Sequence, residues 1–442
     1  MKMSKFQSLG LDPRLVKTLA RAKFSVPTRI QQLAIPHLCN DAKSHTLLGA
    51  ETGSGKTLAY LLPTLQRLIE SPRYMNNNLD NDADTNINRE KALILLPTSE
   101  LVTQVYNVAS VFAKGVDVGV SMASRFHRMS VFENTRLIVG TPAALLSYPH
   151  SDRTEGITKL VLDEADLLLS PSMLPSVQAL LADIGHTPQT ILAAATLPTA
   201  GTKSLDNTVN RMFPKAVRLS TEGWHRTVSH LAQVMVRVRD EDKAALIADV
   251  LKRHMVSPIV QADFVHIKQL GNAASANQPK GVRASTSMPR VLVFANTAQS
   301  AEDVYRALDK ELQYAGKAHV CALLHGQQDS EHRSKAWASF LKGEVSVLVC
   351  TDVAARGLDV DDIDLVVQYD FALNAVDYLH RVGRTARNGK QGVAVNLVNV
   401  ADEARASAID KFNAVGMEPV FSRRRSFRKH IKKQADRIAG RV

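Results

Sequence analysis

The chain has 442 residues, of which 45% are hydrophobic and 22% charged, and this composition excludes a wholly disordered chain and a collagen-like one. No apolar run approaches the ~20 residues that a membrane-spanning helix needs, so we expect no membrane association. The 55 Lys and Arg residues outnumber the 43 Asp and Glu residues, and the resulting net charge of +12 favours an anionic polymer as partner.

Short apolar runs without alternation recur along the chain. Strands that are buried on both faces have this pattern, which is typical of parallel sheets covered by helices. Seven runs predict such strands: Ala92–Leu96, Leu137–Val139, Leu160–Leu162, Thr190–Ala195, Val291–Phe294, Val345–Val349 and Leu365–Val367. Helical patterns lie between them, as at Leu58–Ile69, Lys243–His254 and Ala301–Tyr314. The alternation of strand and helix predicts an α/β fold.

The elements form two sets, which predict two tandem domains, residues 1–222 and residues 228–420. Residues 72–90 are rich in Asn and Asp and cannot bury apolar surface, so we expect a flexible surface insertion there. The Gly, Ala, Ser, Asn and Pro residues of 257–289 predict a second flexible insertion, in which Ile259–Ile267 can pair locally.

A basic tail follows the second domain at 421–442. Residues 422–442 hold nine Lys or Arg residues against one Asp, a net charge of +8. A tail of this kind favours binding to an anionic polymer, and the alternative is a solvated tail that only aids solubility.

The strongest local signal is a glycine-rich run, Ala50 to Thr57, that follows the apolar run Thr46–Leu48 and opens a helical pattern. Glycines let backbone N–H groups turn towards phosphate oxygens, and the helix N-terminus adds the positive end of its dipole. A lysine can then reach the β- and γ-phosphates, and a hydroxyl can bind Mg²⁺. The predicted phosphate-binding residues are Gly53, Ser54, Gly55, Lys56 and Thr57.

Carboxylates end a second predicted strand, at Asp163, Glu164 and Asp166. A nucleotide-bound Mg²⁺ needs such oxygens at the sheet edge that carries the phosphate loop. Asp163 is therefore a candidate metal ligand through water, and Glu164 is a candidate base for the attacking water. An acidic cluster alone is more often a solvated strand end, and its pairing with the loop favours the catalytic interpretation.

Residues 163–166 spell DEAD, and the order of the surrounding motifs resembles the DEAD-box RNA helicases. Lys23-Phe24 and Pro27-Thr28-Arg29-Ile30-Gln31 are similar to the adenine-recognition motif of that family. The resemblance implies that Gln31 hydrogen-bonds adenine and that Phe24 stacks on it. We expect the loss of Gln31 to leave the phosphate loop intact.

The same resemblance implies RNA contacts in both domains. Pro97–Leu101 and Thr141–Ala143 resemble motifs that bind the RNA backbone, and Cys350–Asp359 resembles the motif that touches RNA and, through Asp359, the ribose of ATP. The implied RNA-binding residues are Pro97, Thr98, Glu100, Thr141, Pro142, Arg333, Thr351 and Arg356, with Arg423, Arg424 and Arg425 in the tail.

His380 to Arg387 resembles the arginine-finger motif of the family. The resemblance implies two RecA-like domains that each supply half of an ATPase. The first supplies Lys56, Thr57, Asp163 and Glu164, and the second supplies Arg384 and Arg387. A planar guanidinium suits the charge that spreads over the γ-phosphate oxygens. ATP and Mg²⁺ are the implied cofactors of a monomer whose partners are structured rRNA and pre-ribosomal proteins.

Several positions depart from the family pattern. Ala194-Ala195-Thr196 replaces Ser-Ala-Thr, and Ser99 and Ala144 replace arginines. Ala194–Pro198 and Phe421–Arg428 resemble a chloroplast and mitochondrial branch that is associated with large-ribosomal-subunit assembly.

We therefore expect an ATP-dependent RNA helicase that opens short duplexes and remodels ribonucleoproteins in an organelle, although no transit peptide is visible. The alternatives are a cytoplasmic or nucleolar location, and an ATP-regulated RNA clamp or scaffold with weak unwinding. A DNA translocase is disfavoured, because the adenine-recognition motif and the DEAD spelling resemble RNA-acting proteins.

Overall fold

The structure is a computed structural model that describes residues 5–71, 90–124, 135–149, 154–197, 205–225, 227, 230–239, 243–256, 272–277, 289–313, 320–352, 363–387 and 390–415. Apart from the short segment Glu51–Gly53, the chain divides into two compact units between Trp224 and His225. Among the described residues, no helix combines the length and apolar character needed to cross a bilayer. Most of the predicted insertion 72–90 and the whole tail lie outside the described residues.

The first unit is built on one sheet. Its strands are β1 (Thr46–Gly49), β2 (Lys91–Leu95), β3 (Gly119–Ala123), β4 (Thr135–Gly140), β5 (Ile157–Asp163), β6 (Gln189–Ala194) and β7 (Val217–Ser220). They lie in the order β3-β4-β2-β5-β6-β1-β7, and every pair is parallel.

Helices cover both faces of this sheet. They are α1 (Pro13–Arg21), α2 (Arg29–Asn40), α3 (Lys56–Glu70), α4 (Ser99–Lys114), α5 (Pro142–Leu145), α6 (Ala165–Leu168), α7 (Leu174–Ile184) and α8 (Leu205–Met212). Adjacent residues of β6 show the two faces, because Ala193 packs in the apolar cluster of α1 to α4 and Ala194 packs in the cluster of α5 to α8. Burial on both faces explains the absence of alternation in the sequence.

The second unit repeats this architecture. Its strands are β8 (Leu231–Arg237), β9 (Asn272–Asn277), β10 (Val291–Ala295), β11 (Cys321–Leu324), β12 (Val347–Thr351), β13 (Leu365–Gln368) and β14 (Gly392–Val398), in the order β11-β12-β10-β13-β14-β8-β9. Its helices are α9 (Lys243–Val256), α10 (Ala298–Gln313), α11 (Ser330–Lys342), α12 (Ala375–Val382) and α13 (Glu403–Val415).

The seven predicted strands and the three predicted helices are confirmed in the structure. One prediction is wrong in part, because Asn272–Asn277, inside the predicted insertion 257–289, forms a strand antiparallel to β8. An edge strand is held by main-chain hydrogen bonds to one neighbour, so it does not need the apolar side chains on which the prediction depended. The second sheet is therefore parallel except at this edge.

A single arginine holds the main chain on both sides of residues 72–89. Arg136 on β4 donates from Nη1 to the carbonyl oxygen of Leu68 (2.5 Å) and from Nε to the carbonyl oxygen of Glu90 (3.1 Å). Arg67 forms an ion pair with the Glu90 carboxylate at 3.4 Å. The end of α3 and the start of β2 are thus held together through β4.

The parallel register brings the predicted site residues of the first unit to one edge. The phosphate loop follows β1, Asp163 ends β5, and Thr196 follows β6, while Thr98 and Thr141 follow β2 and β4. The carboxyl ends of parallel strands are the usual place for ligand sites in such sheets.

Candidate nucleotide-hydrolysis site

The phosphate loop connects β1 to α3. Gly53 and Gly55 have φ angles of +76° and +87°, in the left-handed region that glycine adopts without steric cost. Lys56, the first residue of α3, donates from Nζ to the carbonyl oxygen of Ala50 at 2.7 Å, so its side chain folds back along the loop.

Gln31 lies on α2 with its amide against the loop. Its Oε1 accepts from the backbone N–H of Thr28 (3.0 Å), which caps α2, and its Nε2 donates to the carbonyl oxygen of Gly55 (3.1 Å). A β-carbon at Gly55 would lie 2.4 Å from Nε2, so a larger residue there would displace the Gln31 amide, and the φ of +87° favours glycine in any case. Gln31 therefore contacts the loop directly, and the effect of its loss on the loop stays a prediction.

Adenine recognition by Gln31 and Phe24 stays a prediction. Each amide atom of Gln31 retains a second hydrogen-bonding position, since the oxygen has two lone pairs and the nitrogen has two hydrogens. Phe24 follows α1 and is 44% exposed, which leaves its ring accessible to a flat partner.

Asp163 ends β5 in a buried position, with both carboxylate oxygens hydrogen-bonded. Oδ2 accepts from the Tyr60 hydroxyl at 2.8 Å, and Oδ1 accepts from the Glu164 backbone N–H at 2.9 Å. Burial, and after it the charge of Glu164, raise the pKa of Asp163 to about 6 against the opposing effects of the Tyr60 hydrogen bond and the charge of Lys56. The carboxylate thus lies close to a residue of the phosphate loop.

Glu164 occupies a strained backbone position. Its φ of +51° is in the left-handed region, where a residue with a β-carbon is uncommon, and it forms the N-cap of α6. Strain of this kind is often retained at functional sites, because the surrounding structure enforces it.

Asp166 is linked to the strand next to β5. Its Oδ2 accepts from the Thr196 hydroxyl, and its Oδ1 accepts from the backbone N–H of Leu167 at 3.0 Å. Ala194, at the position of the family's serine, is fully buried in the apolar cluster on the α5 to α8 face. A hydroxyl link between β6 and the acidic segment is therefore kept by Thr196 and absent from Ala194.

Two of the predicted RNA-binding threonines cap helices. Thr98 accepts from the backbone N–H of Leu101 (3.3 Å) at the start of α4, and Thr141 accepts from that of Ala144 (3.2 Å) at the start of α5. Pro142 is the first residue of α5, which suits a residue without an N–H. Both hydroxyls thus have a structural role, and the RNA contacts of Pro97, Thr98, Glu100, Thr141 and Pro142 stay predictions.

In the second unit, α12 ends inside the predicted arginine motif, His380 to Arg387. Arg384 is buried just beyond the helix, and Arg387 donates from Nε to the carbonyl oxygen of Gly383 at 3.0 Å. Thr351 ends β12, and Arg333 lies on α11. The predicted contacts of Arg356, Asp359 and Arg423 to Arg425 fall outside the described residues.

Arg381 lies at the centre of a buried polar network in this unit. It pairs with both carboxylate oxygens of Asp352, from Nε at 2.6 Å and from Nη2 at 2.7 Å. Further bonds reach Asn296 Oδ1 (2.6 Å), Gln368 Oε1 (3.2 Å) and the carbonyl oxygen of Asp370 (2.6 Å). The guanidinium therefore joins the loops after β10, β12 and β13.

Comparison with known proteins agrees with this geometry. Residues 28–205 match the family model of the DEAD/DEAH box helicases, and residues 279–389 match that of the helicase conserved C-terminal domain. A protein of Homo sapiens named "Probable ATP-dependent RNA helicase DDX28" is 33% identical over 421 residues, which cover 89% of this chain and 70% of that protein. The chain belongs to the DEAD-box ATP-dependent RNA helicases.

Other relatives of this DEAD-box chain differ in length. The DEAD-box ATP-dependent RNA helicase 39 of Arabidopsis thaliana is 32% identical over 425 residues, and the alignment covers 92% of this chain but 60% of that protein. The structure of S. cerevisiae Dbp5 bound to RNA and ADP BeF3 matches with a TM-score of 0.71 at 23% identity, covering 93% of this chain and 94% of that one. The predicted fold of two tandem RecA-like domains is thus confirmed.

Two residues of the DEAD-box chain were missed by sequence reasoning. Tyr60 contacts Asp163 although 103 residues separate them, and Arg381 joins segments from Asn296 to Asp370. Helical spacing offered a signal for both. Tyr60 lies one helical turn after Thr57 on α3, and Arg381 lies on α12 within the predicted arginine motif, so each is close in sequence to a predicted site residue.

Proposed function

We propose that this DEAD-box chain hydrolyses ATP when RNA binds, and that it uses the cycle to open short duplexes and remodel ribonucleoproteins. The observation that carries the proposal is the position of Asp163. Its buried carboxylate bonds Tyr60 of α3 and feels the charge of Lys56, so the DEAD segment lies against the helix that opens in the phosphate loop. RNA-stimulated ATP hydrolysis is the activity of the family.

The described residues fit a magnesium ion at this position. Mg²⁺ prefers hard oxygen ligands, and Asp163 and Thr57 offer a carboxylate and a hydroxyl that both interact with the Tyr60 hydroxyl. In the proposal, Asp163 and Thr57 hold the ion, which neutralises phosphate charge when it is bound. Lys56 binds the phosphates, and Glu164 takes the proton of the attacking water.

The remaining site residues keep their predicted roles in this proposal. Gln31 and Phe24 select adenine, and Arg384 and Arg387 supply positive charge to the γ-phosphate during hydrolysis. Asp359 binds the ribose, and the predicted RNA-binding residues of both domains grip the phosphate backbone. The support for these roles is the match of each position to a family motif.

Replacement of the proposed base tests the activity. Glu164→Gln keeps the size of the side chain but cannot accept a proton, so RNA-stimulated ATP hydrolysis should fall by ~10²–10⁴-fold while ATP binding persists. Glu155→Gln is the matched control, because Glu155 is exposed just before the other end of β5. Parental turnover in Glu164→Gln would contradict the assignment.

The clamp alternative is favoured by the buried methyl group of Ala194. If the missing hydroxyl weakens the coupling of hydrolysis to strand opening, Ala194→Ser should increase the number of duplexes opened per ATP with little change in ATPase rate. A short-duplex displacement assay measures this ratio. No unwinding by either protein, together with ATP-dependent retention of RNA, would favour the clamp.

The cellular role that we propose is in ribosome assembly. Two short motifs, at 194–198 and 421–428, resemble the organellar branch, and they support a role in rRNA processing or large-subunit assembly in a chloroplast or mitochondrion. Crosslinking of the protein to RNA in its own cell, followed by sequencing, tests this role. Recovery of messenger RNA without rRNA would contradict it.

A further inference from the structure

A buried phenol connects the phosphate-loop helix to the DEAD strand. Tyr60 is fully buried on the second turn of α3, and its hydroxyl donates to Asp163 Oδ2 at 2.8 Å. The hydroxyl of Thr57, one turn earlier, lies close enough to the phenol to interact with it. Burial and the charge of Asp163 raise the pKa of Tyr60 well above 10, which keeps its proton in place as a donor.

The two hydrogen bonds on Asp163 differ in origin. The bond to Oδ1 comes from the next residue of the same chain segment, Glu164, and it fixes one oxygen locally. The bond to Oδ2 comes from α3, so it fixes the second oxygen relative to the helix that carries Lys56 and Thr57. With both oxygens held, rotation of the carboxylate plane is restricted, and each oxygen keeps one lone pair for a further ligand.

Outer partners of this kind have a known effect on metal sites. A carboxylate ligand that is oriented by a hydrogen bond binds its ion more tightly, and loss of the orienting partner commonly costs 10–100-fold in affinity or activity. Phenylalanine would fill the same space on α3 without donating a hydrogen bond. The hydroxyl group, rather than the ring, is therefore the element that acts on Asp163.

We propose that Tyr60 is a positioning residue for the magnesium ion of the nucleotide complex, and that it aligns the Asp163 carboxylate with the Thr57 hydroxyl across the two elements. The inference rests on the proposed metal role of Asp163 and Thr57. It predicts that binding of nucleotide depends on Tyr60 only when magnesium is present.

Binding of a fluorescent, non-hydrolysable ATP analogue, titrated with MgCl₂, tests this inference in the full chain. Tyr60→Phe should raise the Mg²⁺ concentration for half-maximal binding by about 10-fold, and it should leave binding in EDTA unchanged. The control is Tyr378→Phe, since Tyr378 is also fully buried and its hydroxyl bonds Gln233 in the second unit. This control should keep the parental Mg²⁺ requirement.

A double substitution separates positioning from packing. If Tyr60 acts through Asp163, then adding Tyr60→Phe to Asp163→Asn should cause no further shift in the Mg²⁺ requirement. Asp163→Asn also removes a buried charge, which should offset a loss of stability caused by Tyr60→Phe. The double variant therefore remains usable if Tyr60→Phe alone folds poorly. Two results would overturn the inference. One is that Tyr60→Phe shifts the Mg²⁺ requirement equally in the parental protein and in Asp163→Asn. The other is that a folded Tyr60→Phe variant keeps the Mg²⁺ requirement of the parental protein.

The same titration distinguishes this inference from the proposed function. If the parental protein bound the ATP analogue equally well with and without Mg²⁺, the metal role of Asp163 would be overturned, and the positioning role of Tyr60 with it. A parental protein that depends on Mg²⁺, alongside a Tyr60→Phe variant with an unchanged curve, would overturn the positioning role alone.

Discussion

Replacement of Arg381 by methionine should destabilise the second unit strongly. Arg381 is 1% exposed and donates five hydrogen bonds, two of them to Asp352, and its Cζ atom lies over the ring of Phe294, 5.3 Å from the ring centre. Methionine fills similar space but leaves the Asp352 carboxylate without the two charge-assisted hydrogen bonds that Arg381 donates. The acceptors from three loops then lose their common donor.

The expected loss of unfolding free energy in Arg381→Met follows from the burial of the Arg381 side chain. Removal of one partner of a buried ion pair typically costs about 3–5 kcal/mol, because the remaining charge is left without compensation. That loss is a large fraction of the 5–15 kcal/mol typical of folded proteins. With a urea m-value of about 2 kcal/mol per molar, the unfolding midpoint should fall by roughly 2 M.

Trp337 provides the assay. It is one of two tryptophans in the chain, and it packs against the core of the second unit beside Phe340. In a Trp224→Phe background its fluorescence reports unfolding of that unit alone. Arg237→Met is the matched control, since Arg237 pairs with both oxygens of Glu403 but is 45% exposed.

The exposed pair of the control should be worth at most about 1 kcal/mol. A midpoint shift in Arg381→Met no larger than that of Arg237→Met would refute the reasoning that burial gives Arg381 its weight. Asp352→Asn added to Arg381→Met should recover part of the loss, because it removes the charge that the first substitution leaves behind.

Three further outcomes are expected. Gln31→Ala should shrink the preference for ATP over GTP by roughly 1–3 kcal/mol and, because its amide also holds Gly55, should weaken binding of both nucleotides in a competition assay. Asp163→Asn should raise the melting temperature of the nucleotide-free protein at pH 7–8. The pKa of Asp163 is raised to about 6 in the folded state, so its ionisation lowers stability as pH rises from about 4 to 6, and the difference between variant and parent should vanish near pH 4. Truncation after Phe421 should flatten the slope of log RNA affinity against log salt by roughly 3 if half of the tail's basic residues touch phosphate, and an unchanged slope would support the solubility interpretation.

The sequence predicted the interior of both sheets and the place of the glycine-rich loop between β1 and α3. Strands buried on two faces leave a continuous apolar run, and the loop needs particular residue types at fixed spacing, so both are visible locally. Edge strands such as Gly119–Ala123 and Asn272–Asn277 were missed, because pairing on one side places little demand on composition.

The missed contacts share a different cause. The Tyr60 to Asp163 bond and the network of Arg381 join residues that are far apart in the chain, and helical spacing places Tyr60 and Arg381 near the motifs without indicating these distant partners. The second hydrogen bond of Gln31 was missed for the same reason, since its partner Gly55 lies 24 residues further along. Tertiary packing decided these partners after the motifs had fixed the elements.

The clamp that Arg136 forms between Leu68 and Glu90 has an evolutionary consequence. Because both ends of residues 72–89 are held by one guanidinium, the length of chain between them is decoupled from the geometry of α3 and β2. Doubling a loop adds only about 0.6 kcal/mol of closure entropy, so insertions and deletions at this point carry little penalty. We therefore expect the length of the segment 72–89 to vary among related proteins. A label or an affinity tag inserted there should leave the helix that begins in the phosphate loop undisturbed.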